Sequence, residues 1–204
     1  KPSIMFEDYM YVSGTSPVLR KHFENYFKRI KNTVRLNKNS DKILDIACND
    51  GTFLNFFSKR NFIIGIDPSI KKFKKKYKPY IKTINNFFSK KLIEKSTKKR
   101  VKFDLITSFA VFYDIKKPNL FCKDISSLLS DKGIWILEFS YLPLMLKNLT
   151  YDQICHEHVT YYNLSVFKKI AENNNLKILN VKFNEINGGS VEIICSKKIS
   201  KYKS

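Results

Sequence analysis

The chain has 204 residues, of which 43% are hydrophobic and 14% aromatic, so its composition is that of a folded protein rather than a disordered one. Its 38 basic and 18 acidic side chains give a net charge of +20. This charge suits either an anionic partner such as nucleic acid or a lysine-rich composition that covers solvent-facing surfaces. The bias runs along almost the whole chain, which favours the second interpretation and makes a nucleic-acid partner the weaker expectation.

The sequence contains no membrane span and no export signal that we can identify. Each of its longest apolar runs includes a charge and is too short to cross a bilayer. Because the N-terminus has no apolar core of a signal peptide, we expect a cytoplasmic protein. The chain begins with Lys1 rather than methionine, so we also expect a piece of a longer protein. The four cysteines, Cys48, Cys122, Cys155 and Cys195, form no Cys-x-x-Cys pair, and we expect them to be free thiols.

The first predicted element is an N-terminal helix. Ser16 is its expected cap and Pro17 its first helical residue. An apolar stripe follows at helical spacing, made of Leu19, Phe23, Tyr26, Phe27, Ile30 and Val34. We expect residues 1–35 to form a helical lead-in or lid and residues 36–204 to form one compact domain.

Apolar runs and helical patterns then alternate along the chain. Runs that are apolar throughout indicate buried parallel strands, and the helices between them indicate βαβ units. Toward the C-terminus, Asn163 is an expected helix cap, and "NEINGG" between two strand patterns predicts an antiparallel hairpin. The prediction is an α/β fold with strands at 42–47, 61–67, 101–112 and 133–141, and helices at 52–59, 69–77 and 118–129.

The turn after the first strand, in "KILDIACNDGTFL", is the first candidate site. Ligands of open α/β sheets bind beyond the carboxyl ends of the strands. A dinucleotide-binding turn has three glycines that let the backbone approach a pyrophosphate. This turn has Ala47, Asn49 and Gly51 at alternate positions, so a dinucleotide oxidoreductase is disfavoured.

Three acidic residues surround the same turn. Asp45 ends the first strand, Asp50 lies in the turn, and Asp67 ends the second strand 22 residues after Asp45, close to the spacing of a ribose-binding acid. The alternative is that Asp45 caps a helix and Asp67 merely ends a strand. Carboxylates repel a pyrophosphate but suit an amino group, hydroxyls and a sulfonium, which together describe S-adenosylmethionine (SAM).

At this point the sequence resembles a family. "DIACNDGTFL" is similar to motif I of class I SAM-dependent methyltransferases. The segments "FYDIKKP", "EFSYLPLML", "YDQICHEHVTYY" and "INGGS" follow in the order seen in C-methyltransferases that act on nucleotide-linked deoxysugars. The resemblance covers nearly the whole chain and implies a Rossmann-like, mostly parallel seven-stranded sheet. Members of that family carry an N-terminal zinc-binding module and a further C-terminal domain, which these residues do not include.

The resemblance also implies which residues contact SAM. The methionine end is expected at Cys48, Asn49 and Asp50, next to Asp45, Ala47 and Gly51, and the ribose at Asp67. The adenine is expected beside Asn86, Phe87 and Phe88, although core packing is an equal alternative for the two phenylalanines. Ser108 and Phe109 match the wall beneath the sulfonium.

Two of the three histidines of the chain lie in "CHEH" at 155–158. A metal site needs three or four ligands. His156 and His158 supply two and Glu157 at most a third, and no other His or Cys is clearly available, so we expect no metal. The histidines could instead only hydrogen-bond their loop. The third interpretation is acid–base chemistry, because histidine removes a proton near neutral pH. The segment follows a strand, so we expect it at the same sheet edge as the motif I turn.

In the family that the sequence resembles, the Glu-His pair at this place prepares the sugar carbon for methylation. The role transfers to Glu157 and His158. His158 takes a proton from a carbon next to a ketone, and Glu157 is expected to hold the imidazole tautomer and to stabilise its cationic form. Many relatives have a tyrosine where this chain has Cys155, so Tyr9 or, preferably, Tyr11 is the candidate hydroxyl. Asn187 and the following Gly-Gly pair either contact the sugar or form a simple hairpin turn.

Two other functions are compatible with the residues. One is a methyltransferase that acts on RNA, protein or another small molecule, for which the net charge is the main argument. The other is a non-catalytic module that binds SAM or a sugar nucleotide.

Overall fold

The computed structural model describes residues 5–7, 9–33, 40–97 and 100–202. Seven strands are present: β1 (Lys42–Ile46), β2 (Phe62–Ile66), β3 (Lys82–Ile84), β4 (Phe103–Phe109), β5 (Leu129–Ser140), β6 (Leu176–Asn184) and β7 (Ser190–Lys197). They form one sheet in the order β3-β2-β1-β4-β5-β7-β6. Strands β1, β2 and β3 pair in parallel, as do β4 and β5, whereas β7 is antiparallel to β5 and β6. The predicted α/β fold with a C-terminal antiparallel hairpin is confirmed.

The chain divides into two compact units, Lys1–Phe88 and Ser89–Ser204. The first unit contains helix α1 (Pro17–Thr33), strands β1 to β3 and the short helix α2 (Ile70–Phe73). The Ser16 hydroxyl accepts a hydrogen bond from the Leu19 N–H at 3.2 Å, so the predicted cap is confirmed. Of the predicted stripe, Val34 lies outside the described residues.

Aromatic side chains hold α1 against the segment that follows the first turn. The Phe23 ring lies 5.6 Å from Phe53, and the Phe27 ring lies 5.7 Å from Phe56 and 5.0 Å from Phe57. Edge-to-face and offset pairs at these distances add about 0.5–1.5 kcal/mol each to the burial of apolar area. The apolar stripe of α1 therefore serves as a packing surface within the first unit.

Two helices of the first unit are shorter than predicted. The helix expected at 52–59 is only a 3-10 turn, Leu54–Phe56, because aromatic and Asn residues favour helices weakly and the Asn55 amide bonds instead to the Lys76 carbonyl at 2.9 Å. The helix expected at 69–77 stops at Phe73 and continues as a 3-10 turn, Lys74–Lys76. Like charges four residues apart disfavour a longer helix there.

The second unit contains helices α3 (Lys90–Thr97), α4 (Pro118–Leu128), α5 (Leu142–Asn148) and α6 (Leu164–Asn173) with strands β4 to β7. Its core is an aromatic cluster around Phe112, whose ring lies 4.9–6.1 Å from five others: Phe121, Trp135, Phe139, Tyr162 and Phe167. Strand β4 is shorter than predicted because Ala110 takes a left-handed φ of 51° and ends it. Strand β3 and helix α3 were not predicted.

The C-terminal hairpin turns on three left-handed residues. Asn187 has φ 52°, Gly188 has φ 74° and Gly189 has φ 131°, which only an Asn-Gly-Gly sequence adopts easily. The Asn163 side chain accepts from the Val166 N–H at 2.9 Å, so that predicted helix cap is also confirmed.

The described residues also bear on the cysteine and membrane expectations. All four cysteines are free thiols, and three of them are buried. Within the described parts of the chain, every helix is too short or too polar to cross a membrane.

Candidate functional site

The turn between β1 and the 3-10 segment Leu54–Phe56 has an unusual backbone. Ala47, Asn49 and Gly51 all have positive φ angles, at 60°, 47° and 76°. A left-handed conformation costs an ordinary L-residue about 1–2 kcal/mol, and strain of this kind concentrates at binding sites. The alternate residues noted in the sequence therefore form a compact, strained turn.

Tyr77 covers this turn, and the sequence did not indicate it. A methyl group added at Gly51 would lie 2.5 Å from Cε1 of Tyr77, so only glycine fits beneath the ring. The Tyr77 hydroxyl donates to the Asn49 carbonyl and lies 3.2 Å from the Cys48 sulfur. Burial first, and then the neighbouring Cys48, raise the pKa of Tyr77, so the phenol stays protonated.

The segment before α1 is hydrogen-bonded to the same turn. The Asn49 amide accepts from the Ser13 N–H at 2.9 Å and donates to the Tyr11 carbonyl at 3.0 Å. The Gly14 N–H donates to Asp50 Oδ2 at 3.2 Å. The backbone at 11–14 is thereby tied to the motif I turn, which is where a lid would be fastened.

Asn49→Ala should release this segment, because it removes one acceptor and one donor that bind backbone atoms. We expect amide hydrogen exchange at residues 11–15 to become at least about fivefold faster, since each lost bond is worth about 1 kcal/mol. Hydrogen-exchange mass spectrometry of that peptide measures the effect. Asn148→Ala, which removes a single bond to the Gly188 carbonyl in the second unit, is the control and should leave the 11–15 peptide unchanged.

The three predicted acids are all buried in the first unit, with exposures of 3% for Asp45, 2% for Asp50 and 7% for Asp67. Asp67 accepts from the Asn49 N–H at 3.0 Å and from the Ser69 N–H at 2.7 Å. It therefore ties the end of β2 to the motif I turn, and its two oxygens retain lone pairs for further donors. Asp50 is paired with Lys76 at 3.2 Å. Strand-end caps and ligand acceptors are both compatible with these contacts.

Cys48 has the electrostatics of a buried, inert thiol. Burial first, and then Asp45 and Asp67, raise the pKa of Cys48 well above its usual value. The thiol therefore stays protonated and serves as an apolar wall of the turn rather than as a nucleophile.

The residues expected beside adenine lie just after β3. Asn86 is exposed and Phe88 is half-buried. Phe87 is 36% exposed, so core packing does not describe this ring. Its ring meets Phe6 edge-to-face at 6.5 Å, which leaves an aromatic surface that a flat heterocycle could cover.

Ser108 and Phe109 lie at the end of β4 in the second unit. The Ser108 side chain is fully buried, and its hydroxyl accepts from the Trp135 indole N–H at 2.9 Å. The side chain thus belongs to the core, and Phe109, which is partly exposed, is the member of the pair that a ligand could reach.

The loop that carries His158 has a defined tautomer. Nδ1 of His158 lies 2.7 Å from the Gln153 carbonyl, and because a carbonyl only accepts, Nδ1 must carry the proton. Among the described residues, Nε2 has no hydrogen-bond partner and is left as the basic nitrogen. The Tyr113 ring lies 3.9 Å from the imidazole, and the Tyr113 carbonyl accepts from Val159 N–H and Thr160 N–H at 2.9 and 3.1 Å.

The electrostatics of the pair keep His158 neutral. Burial lowers the pKa of His158 below its usual value, and the Gln153 carbonyl and Glu157 oppose this only in part. Glu157 is partly exposed; its own backbone N–H and the Cys155 thiol lower its pKa, so it is ionised at neutral pH. We expected Glu157 to orient the imidazole, but the Gln153 carbonyl does so, and Glu157 acts on His158 through its charge.

The remaining histidine of the motif differs from His158. His156 is exposed, whereas His158 is half-buried. In the described parts of the chain, no group of three or more His, Cys, Asp or Glu side chains is arranged to hold a metal ion.

Comparisons with known proteins identify the family of the chain. The profile of the methyltransferase domain family matches residues 18–181. The chain belongs to the methyltransferase domain family. The magnesium protoporphyrin IX methyltransferase ChlM of Synechocystis PCC 6803, solved with bound S-adenosylhomocysteine (SAH), shares its fold: the TM-score is 0.64 at 12% identity, over 87% of this chain and 83% of that one.

Two further relatives show the range of the family. An S-adenosylmethionine-dependent methyltransferase of Clostridium acetobutylicum ATCC 824 has a TM-score of 0.59 at 14% identity, over 86% of this chain and 90% of that one. The C-methyltransferase NovU of Streptomyces niveus is 23% identical over 197 residues, which are 96% of this chain. The chain spans 47% of the length of NovU. Its cofactor is SAM.

Proposed function

We propose that this methyltransferase transfers a methyl group to a carbon atom of a nucleotide-linked keto-deoxysugar. The observation that carries the proposal is the neutral His158 imidazole, which is held by the Gln153 carbonyl with Nε2 available as a base. A carbon next to a ketone must lose a proton before it can accept a methyl group, and a neutral imidazole can take that proton. The distant similarity to a C-methyltransferase supports the same chemistry.

The first unit fits the cofactor. Its strained turn has a glycine at position 51, where a side chain would meet the Tyr77 ring. Its buried carboxylates at Asp45, Asp50 and Asp67 suit the amino group, the sulfonium and the ribose hydroxyls of SAM. Exposed Asn86 and Phe87 offer an amide and an aromatic face for adenine. When bound, SAM supplies a methyl group on a positively charged sulfur.

His158 would take the proton at Nε2 from the carbon next to the substrate ketone. The resulting imidazolium is stabilised by the negative charge of Glu157 and by the bond from Nδ1 to the Gln153 carbonyl. The electron pair left on the substrate is delocalised onto the ketone oxygen as an enolate, and the enolate carbon is the nucleophile.

Tyr11 is the proposed donor to the enolate oxygen. Burial first, and then Asp50, raise the pKa of Tyr11, so its hydroxyl remains protonated and can donate a hydrogen bond. The side chain is 49% exposed, which leaves the hydroxyl open to a ligand.

The test is incubation with methyl-labelled SAM and a panel of nucleotide-linked sugars, with and without a 4-keto group. With a carbon-13 label in the methyl group, we expect a product that is about 15 mass units heavier than the keto-sugar, and NMR should show the label bonded to carbon. The matched 4-hydroxy sugars should give no product, a discrimination of roughly a thousandfold or more. A label on oxygen or nitrogen, or transfer to RNA or protein alone, would refute carbon methylation. Absence of any transfer with retained SAM binding would indicate a non-catalytic module.

A further inference from the structure

Asp114 is a half-buried acid that the proposed chemistry does not use. It closes the 3-10 turn Phe112–Asp114 that follows β4. Its Oδ1 atom is buried and, among the described residues, has no hydrogen-bond partner. A buried carboxylate oxygen without a donor is costly, so the site favours the neutral carboxylic acid.

The turn that contains Asp114 holds the loop of the proposed base. Tyr113, the preceding residue, receives both Val159 N–H and Thr160 N–H on its carbonyl. Its ring also lies against the His158 imidazole with centroids 3.9 Å apart. Any displacement of Asp114 is therefore passed through one peptide unit to residues 158–160.

Glu157 is the charged group that acts on Asp114. Burial first, and then the Glu157 carboxylate, raise the pKa of Asp114 to about 8. The repulsion between the two carboxylates raises the pKa of Asp114 because Glu157 ionises first. The pKa of Glu157 is lowered by its own backbone N–H and by Cys155. The imidazole of His158 is neutral in the same range and offers Asp114 no positive charge.

We propose that Asp114 is a positioning residue that keeps the His158 loop seated on the Tyr113 turn only while its carboxyl group carries a proton. Its role in catalysis rests on the proposed function of His158, but its effect on the loop does not. When the proton leaves, Asp114 carries a negative charge that the negative charge of Glu157 repels, and the 157–160 loop relaxes away from Tyr113. The carboxyl group thereby sets an upper pH limit for an ordered site.

The sign of the pH effect follows from the two states of the chain. An unfolded aspartate has a pKa of about 3.9, so the folded protein holds this proton more tightly than the unfolded chain. The contribution of Asp114 to stability is complete below about pH 4 and is lost as the pH rises to about 8. Asp114→Asn keeps the shape and cannot ionise, so the variant should not show this loss.

The first experiment measures amide exchange protection at Val159 and Thr160 between pH 6 and pH 9.5, in wild type and in Asp114→Asn. We expect protection in the wild type to fall by at least about tenfold between pH 6 and pH 8, the effect of one pK unit of coupling, and to level off above pH 8. In the variant it should stay level throughout. Asp131→Asn, which removes a carboxylate that is 80% exposed, is the control and should follow the wild type. Parallel curves for wild type and Asp114→Asn would overturn the proposal.

Two further measurements separate this proposal from the proposed function. Glu157→Gln removes a charge that raises the pKa of Asp114, so the loss of melting temperature with rising pH should be smaller and should end at a lower pH; an unchanged pH dependence would count against the proposal. In turnover assays, the wild type should lose kcat/KM above about pH 8 and Asp114→Asn should not. If the exchange result holds but no sugar is methylated, the assigned function fails while the role of Asp114 in the loop stands.

Discussion

Replacement of His158 with alanine is expected to lower kcat for methyl transfer by about 100- to 10,000-fold, the range for loss of a general base. The affinity for SAM should change by less than about twofold, because His158 is assigned a role toward the substrate and not toward the cofactor. Loss of the ring also removes its contact with Tyr113, so circular dichroism should accompany the kinetics. Steady-state assays with labelled SAM and isothermal titration calorimetry measure the two effects.

His156→Ala is the matched control for this prediction. His156 is exposed, lies in the same loop, and has no assigned role, so its removal should leave kcat within about twofold. The wild-type rate should fall on the acid side with a midpoint below pH 6.5, because burial lowers the pKa of His158. Equal kcat for wild type and His158→Ala would remove His158 from the role of base.

Gly51→Ala is expected to lower the free energy of unfolding by about 2–5 kcal/mol and SAM affinity by at least tenfold. The left-handed φ of 76° costs alanine about 1–2 kcal/mol, and a methyl group 2.5 Å from the Tyr77 ring adds about 1–3 kcal/mol of overpacking. The ring cannot move aside without breaking its bond to the Asn49 carbonyl. Urea unfolding and calorimetric titration of SAM measure the two losses.

Ala47→Gly, in the same turn, is the control, because this substitution should relieve backbone strain instead of adding it. Ala47 also has a positive φ, 60°, so glycine relieves strain there, and the variant should unfold within about 1 kcal/mol of wild type. If Ala47→Gly lowered the free energy of unfolding as much as Gly51→Ala, the turn would be sensitive to any substitution, and the specific contact between Gly51 and Tyr77 would not explain the loss. A Gly51→Ala protein with unchanged stability would contradict the packing argument.

Local sequence patterns predicted most of the strands and the C-terminal turn. Strands β1, β2 and β4, the parallel pairing and the C-terminal hairpin follow from apolar runs and from the Asn-Gly-Gly turn, since these depend on neighbours along the chain. Helix lengths failed at 52–59 and 69–77. There, Asn55 bonds to a carbonyl 21 residues away and lysines repel each other, so contacts distant in sequence and side-chain charge outweighed periodicity.

The residues of the candidate site could be predicted from the sequence where the side chain itself is ionisable. Asp67 and His158 are examples, because an acid at a strand end and a histidine in a short polar motif are visible in one dimension. Tyr77, Gln153 and Tyr113 were missed. Each acts through a ring face, a backbone carbonyl or both, and residue type does not report where a carbonyl points.

By itself, the amino-acid sequence determined an α/β fold, a SAM-type turn without a dinucleotide glycine pattern, and a histidine as the candidate base. Only the tertiary structure decided how those residues are held: that Gly51 lies beneath Tyr77, that a carbonyl rather than Glu157 orients His158, and that Oδ1 of Asp114 is buried with no donor among the described residues. The division has a physical cause. Strand and turn preferences arise between neighbours in the chain, whereas hydrogen-bond partners and desolvation, which set protonation states, arise between residues that meet only on folding.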